Sequence, residues 1–104
     1  MLKVYGSPMC PDCREFEANL DANGIEYEKI DINISLRNLK EFLALRDSLP
    51  VFDPVKAQGS IGIPAIVAED GSVTLDWEGY LKERDLPIVY RESGMACSLD
   101  GKGC

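Results

Sequence analysis

The sequence predicts an α/β domain in which a mixed four-stranded sheet is flanked by helices, with elements in the order βαβαββα. Three observations predict it. The apolar run Leu2 to Tyr5 is broken by Gly6-Ser7-Pro8 and followed by a stretch of helical spacing. A second helical stretch opens at Ser35, and Asp70-Gly71 divides two short apolar runs, the signal of a tight hairpin. A strand–helix–strand unit favours a right-handed parallel crossover, whereas a hairpin adds antiparallel strands, so the sheet must be mixed.

Leu2 to Tyr5 carries β-branched and aromatic residues and reads as the first strand. Pro11 suits the first turn of a helix, Phe16 and Leu20 lie one helical period apart, and Asn23-Gly24 supplies the stop. Ile25 to Ile32 alternates imperfectly and is read as the second strand. Leu36, Leu39, Phe42, Leu43 and Leu45 or Leu49 then follow the helical period between Ser35, a candidate N-cap, and Pro50. Val51 to Ser60, with Pro54 and Gly59, is read as a loop holding one helical turn around Asp53 to Lys56. Ala65 to Ala68 and Val73 to Trp77 form the hairpin, and Glu78 to Arg84 a short third helix. Residues 1–86 are therefore assigned to the domain and 87–104 to a C-terminal extension with a second cysteine pair.

A chain of 104 residues can bury one core without crosslinks. Eleven basic and eighteen acidic residues give a net charge of −7, which repels nucleic acid and anionic membrane surfaces. No apolar run approaches a membrane span and the N-terminus lacks the apolar core of a secretory signal, so a cytoplasmic protein is expected. Histidine is absent, which excludes Ser-His and Cys-His catalytic pairs and histidine metal ligands.

The chemistry concentrates in Cys10-Pro11-Asp12-Cys13. At a strand-to-helix junction the first sulfur lies beside unpaired N–H groups and the positive end of the helix dipole, which favours the thiolate. The thiolate is the attacking species, and a lowered pKa also makes it a better leaving group. Two intervening residues set Cys13 one turn onward, within bonding reach and shielded. Cys10 is therefore expected to be ionised and reachable, and Cys13 to resolve the mixed disulfide. Asp12 opposes the negative charge. The competing readings are two core cysteines or half of a metal site, and no metal is expected. Ile63-Pro64 marks the start of a strand, because proline cannot donate to a ladder and an X-Pro bond is the one at which cis is cheap.

Taken together, Val4 to Cys13, Tyr27 to Ile32, Gly62 to Val67 and the Asp70-Gly71 turn resemble a glutaredoxin, a member of the thioredoxin-like fold. The resemblance covers roughly residues 2 to 84. It implies that Cys10 is the nucleophile, that Cys13 resolves, and that Pro64 is cis and faces the sulfurs, so that the Ile63 backbone can bind an extended substrate. It also implies glutathione or glutathionylated and disulfide-containing proteins as partners, with glutathione or a flavoprotein reductase as electron donor. Pro11, Ile63, Pro64, Trp77 and Glu78 are the substrate-binding candidates. Trp77 suits the core or the rim better than a stack on substrate, and Glu78 suits the first turn of a helix at least as well as the site.

Several positions depart from the family pattern. Ser7 stands where family members often carry a base, Asp12 where Tyr is common, and Leu75-Asp76 where two glycines receive a glutathione carboxylate. Loss of a charged partner costs on the order of 1.5–3 kcal/mol, so a weakened glutathione site is expected. The segment between Asp31 and Pro64 is longer than usual for the family, which lets Pro50 to Ser60 reshape one wall of the groove. Cys97 and Cys104, in a Gly- and Ser-containing tail, are candidate accessory thiols that relay electrons. The alternative function is a zinc or iron–sulfur carrier using all four thiolates.

Overall fold

The first strand, β1 (Leu2–Gly6), sits second in the sheet and turns its residues alternately to two cores. Leu2 and Val4 enter one apolar cluster with Phe16, Leu20, Ile66, Trp77, Tyr80 and Leu81, and Tyr5 enters the other with Ile30, Ile32, Phe42, Phe52 and Ala65. The structure is a computed structural model that describes residues 1–90. Cys97, Cys104 and the extension from residue 91 onward lie outside the described residues.

The first crossover helix, α1 (Pro11–Ala22), has proline at its first position, where the missing N–H removes nothing. Gly24, at φ +67, closes it: the Ile25 N–H reaches the Leu20 carbonyl at 3.0 Å and the Gly24 N–H reaches that of Asp21 at 3.1 Å. Ile25 is thereby spent on ending the helix, which is why β2 (Tyr27–Asp31) begins two residues later than its alternation suggests. β2 pairs parallel with β1, from Leu2 opposite Tyr27 to Gly6 opposite Asp31.

Ser35 caps α2 (Leu36–Ser48), its hydroxyl accepting the Asn38 N–H at 3.1 Å. Ser35→Ala is expected to cost about 1 kcal/mol, read as a lower denaturant midpoint at unchanged m-value. Between α2 and the third strand the chain forms a 3-10 turn (Pro50–Phe52) and α3 (Asp53–Ala57), more order than a loop with one helical turn. Its anchor is Phe52, which is fully buried and edge-on to Phe42 at 5.8 Å between ring centroids.

β3 (Ala65–Val67) pairs antiparallel with β1, and β4 (Val73–Thr74) antiparallel with β3, giving the order β2-β1-β3-β4. The mixed four-stranded sheet stands as the sequence predicts. The second hairpin strand is shorter than Val73 to Trp77, because Asp76 caps a helix: its carboxylate accepts the Gly79 N–H at 3.0 Å. Trp77 accordingly opens α4 (Trp77–Glu83). Beyond α4, Leu86, the last residue assigned to the domain, and Ile88, within the assigned extension, both pack on the Leu2/Phe16 cluster. No helix among the described residues is long and apolar enough to cross a membrane.

Candidate active site

The site is built where β1 hands over to α1. After Gly6 the chain turns through Ser7, Pro8 and Met9, with the Cys10 N–H bonded to the Ser7 carbonyl at 3.1 Å. Ser7 is buried; its hydroxyl accepts the Met9 N–H at 3.1 Å and pairs with the Asn33 side-chain oxygen. The position that often bears a base in the family here braces the turn.

Cys10 is the N-cap of α1, with extended backbone, and its sulfur accepts the Cys13 N–H at 3.3 Å. A sulfur in that place does the work of a capping oxygen, so a negative charge on it is favoured by the orphan N–H groups of the first turn. The Cys10 thiol is held below its ordinary value, first by hydrogen bonding from the Cys13 side chain and further by the backbone N–H groups of Cys13 and Asp12. Burial and the Asp12 carboxylate act in the opposite direction. Cys13 is pushed up by its bond to Cys10, by burial and by the charge on Cys10. The pair thus divides into one sulfur that ionises readily and one that keeps its proton. The two are not joined by a disulfide in this structure.

Cys10 retains 3% of its surface and Cys13 none. Against the expectation of an open nucleophile, the attacking sulfur is nearly covered, because its loop folds back on the strand start of β3. The Cys10 thiol faces the Ile63 carbonyl at 4.0 Å, and the Ile63-Pro64 bond is cis. Motif and proline therefore meet, although 53 residues separate them in the chain. β3 starts only at Ala65, so the backbone of Ile63 lies outside the ladder that pairs Tyr5 with Ala65.

Two glycines make the approach possible. A Cβ on Gly6 would stand 2.9 Å from the Cys13 sulfur, closer than carbon and sulfur can pack. Gly6→Ala is therefore expected to displace Cys13 from its place behind Cys10, slowing closure of a Cys10–Cys13 disulfide about tenfold or more, as read by stopped-flow oxidation, since ångström misplacements cost up to about a hundredfold. Gly62 has φ +95 and its Cβ would meet the Phe52 ring at 3.0 Å, so the buried insert directly supports the Ile63-Pro64 loop. Phe52 of the insert shares its buried cluster with Cys10, Cys13 and Ile63.

The remaining candidates are placed unevenly. Pro11 is half-buried at the start of α1 beside Cys10. Trp77 is 7% exposed and packs against Phe16 and Tyr90 at centroid distances of 6.1 and 5.9 Å, which makes it a core residue. Glu78 is half-buried, accepts a hydrogen bond from the Tyr90 hydroxyl, and bears electrostatically on Asp12. Asp12 is raised from the usual carboxylate range by burial and by the charges of Glu78 and Glu15. Leu75-Asp76, in place of two glycines, gives up a carboxylate to cap α4. Among the described residues no group of three or more His, Cys, Asp or Glu side chains is arranged to hold a metal ion.

Sequence reasoning missed Asn19. It is 2% exposed on α1 and holds Val89 by a pair of bonds, its amide N–H to the Val89 carbonyl at 2.9 Å and the Val89 N–H to its oxygen at 2.8 Å. A polar residue on the buried face of a predicted helix was the available signal, but its partner lies 70 positions away.

A family model described as Glutaredoxin matches residues 2–70. The chain is also 49% identical over 73 residues to a curated protein of Haemophilus influenzae, described as an uncharacterized protein, covering 70% of this chain and 85% of the relative. No solved structure matches. The strand–turn–helix that carries Cys10 and Cys13, the cis Ile63-Pro64 bond and the β2-β1-β3-β4 sheet agree with that match, and the chain belongs to the glutaredoxin family.

Proposed function

We propose that the protein is a cytoplasmic thiol–disulfide oxidoreductase that reduces protein disulfides or glutathione mixed disulfides through Cys10 and Cys13. The observation that carries the reading is the Cys10 sulfur seated as the N-cap of α1, accepting the Cys13 N–H. The Cys10 thiolate attacks one substrate sulfur, a Cys10–substrate disulfide forms, and the other substrate sulfur leaves as a thiolate. Cys13 then loses its proton and attacks Cys10, closing the Cys10–Cys13 disulfide and releasing the second thiolate. Of the three largest causes that hold the Cys13 proton, two come from Cys10, its hydrogen bond and its charge. Both vanish once Cys10 is bonded to substrate, so the resolving thiol is released for attack only after the first step. The Ile63 backbone, clear of the ladder beside the sulfurs, is suited to an extended peptide, and Pro11 and Pro64 shape the entry.

Electrons to reset the dithiol come from glutathione or a flavoprotein reductase. With Ser7 turned inward and the Asp12 and Glu78 carboxylates close to each other at the motif, the anionic tripeptide meets fewer cations than in the family pattern, which favours the reductase as donor. Mixing reduced protein with an excess of a disulfide-bonded protein is expected to consume at least two thiols per chain and to release the same number from the substrate. Unchanged thiol counts on both would overturn the proposal. Asp12→Asn removes a charge that opposes the Cys10 thiolate. The pH profile of Cys10 alkylation is expected to move to lower pH in that variant, and a move to higher pH would contradict the electrostatic account.

A further inference from the structure

The chain between Ala57 and Ala65 belongs to no helix or strand, yet its last residues stand at the redox pair. It is held instead by contacts from three elements. The Ser60 N–H donates to the Val55 carbonyl of α3 at 2.8 Å, and Gly62 leaves no room for a Cβ beside Val55 and Phe52 of the 3-10 turn. From α2, Arg46 supplies two further bonds: its Nε–H donates to the Ile61 carbonyl at 2.9 Å and an Nη2–H to the Ser60 carbonyl at 2.8 Å. A base in the last turn of a helix is favoured by the dipole alone, and for that any point charge serves. A planar fork laid across two successive carbonyls does more, because it fixes the orientation of both peptide groups.

We propose that Arg46 is a positioning residue for substrate: by gripping the Ser60 and Ile61 carbonyls it sets the course of the backbone into Ile63, which then stands ready beside Cys10 for an extended, disulfide-bearing peptide. The proposal rests on the reading of Cys10 as the exchanging sulfur and of the Ile63 backbone as the cradle for its substrate. Ile63 follows Ile61 by two positions, and its carbonyl lies 4.0 Å from the Cys10 sulfur. Just beyond Pro64, Ala65 is registered opposite Tyr5 in the sheet. The Gly62-Ile63-Pro64 segment is thus fixed at both ends, by the ladder on one side and by the guanidinium on the other.

Order built in before binding is not subtracted from affinity afterwards. A loop that must hydrogen-bond a peptide while a substrate sulfur lines up with Cys10 gains from being held in advance, since small misplacements of reacting groups are costly. Arg46 acts through Ser60 and Ile61, whereas the ionisation of Cys10 is governed by the first turn of α1, where its sulfur accepts the Cys13 N–H. Loosening the clamp therefore penalises a substrate that uses the Ile63 peptide groups and spares one that has no backbone to offer. Lysine at this position keeps the last-turn charge but has no fork with which to hold two carbonyls at a set spacing.

The test uses the full chain with Cys97→Ser and Cys104→Ser, so that Cys10 and Cys13 carry the whole thiol signal. This parent, Arg46→Ala and Arg46→Lys are reduced and mixed in a stopped flow with a short peptide closed by one disulfide and, separately, with 4,4′-dithiodipyridine. Both variants are expected to react about tenfold more slowly with the peptide, and no more slowly than the parent with the small disulfide. Arg46→Lys separates the fork from the dipole and serves where Arg46→Ala does not fold. Peptide rates equal to the parent's, or a parallel fall with both disulfides, overturn the clamp alone. A parent that takes the small disulfide but not the peptide removes Ile63 as a cradle, and the clamp with it. A parent inert to both disulfides overturns the oxidoreductase reading beneath them.

Discussion

Cys10→Ser is expected to abolish disulfide reduction, by roughly a thousandfold or more, because removal of a covalent nucleophile takes away the step itself. The hydroxyl does not ionise near neutral pH, whereas the thiol it replaces is held below its ordinary value by Cys13 and the first-turn N–H groups. Stability is expected to change little, within about 1 kcal/mol, since serine is itself a good N-cap and still offers an acceptor to the Cys13 N–H at the start of α1. Activity and denaturation measured on one preparation separate the two effects. A variant that keeps more than about a tenth of the activity places the chemistry elsewhere. Cys13→Ser, in contrast, is expected to complete the first exchange and stop with substrate bonded to Cys10.

The largest stability effect is expected at Phe52. Its ring is fully buried, lies edge-on to Phe42, and fills the space that a side chain on Gly62 would need. Truncation to alanine loses transfer free energy and leaves a cavity, so Phe52→Ala is expected to cost about 3–5 kcal/mol in chemical denaturation. For a domain whose whole stability is of the order of 5–15 kcal/mol, that is a large share. The same ring backs the Gly62-Ile63-Pro64 segment, so Cys10 alkylation kinetics are expected to change along with stability. A cost below about 1 kcal/mol would mean that the insert is an ornament on the fold and not part of its core.

What could be read from the sequence is what local chemistry decides. Pro11 at the start of α1, Gly24 at its end, Ser35 as a cap and Asp70-Gly71 in the turn each act within a few residues, and each stands where the sequence places it. Cys10 and Cys13 were legible for the same reason, since the spacing of the motif and its strand-to-helix position are local. Misreadings arose where two local rules competed. Ile25 fits an alternating strand but closes α1, and Trp77 fits a strand end but follows a capping aspartate into α4. Long-range partners left the weakest trace. Nothing near Phe52 announces that it will meet Phe42 and Gly62, nothing near Asn19 announces Val89, and the near-complete cover over Cys10 comes from elements far along the chain.

The division of labour between the two sulfurs is tested most directly by site-resolved alkylation of the reduced full chain with iodoacetamide across pH, read by peptide mass spectrometry. Cys10 is expected to be modified well ahead of Cys13 at neutral pH, with a rate that rises with pH and levels off below the pH at which an ordinary thiol does so, because its depressed pKa fills the thiolate sooner. Equal labelling of the two, or Cys13 ahead of Cys10, would contradict the assignment of attacker and resolver.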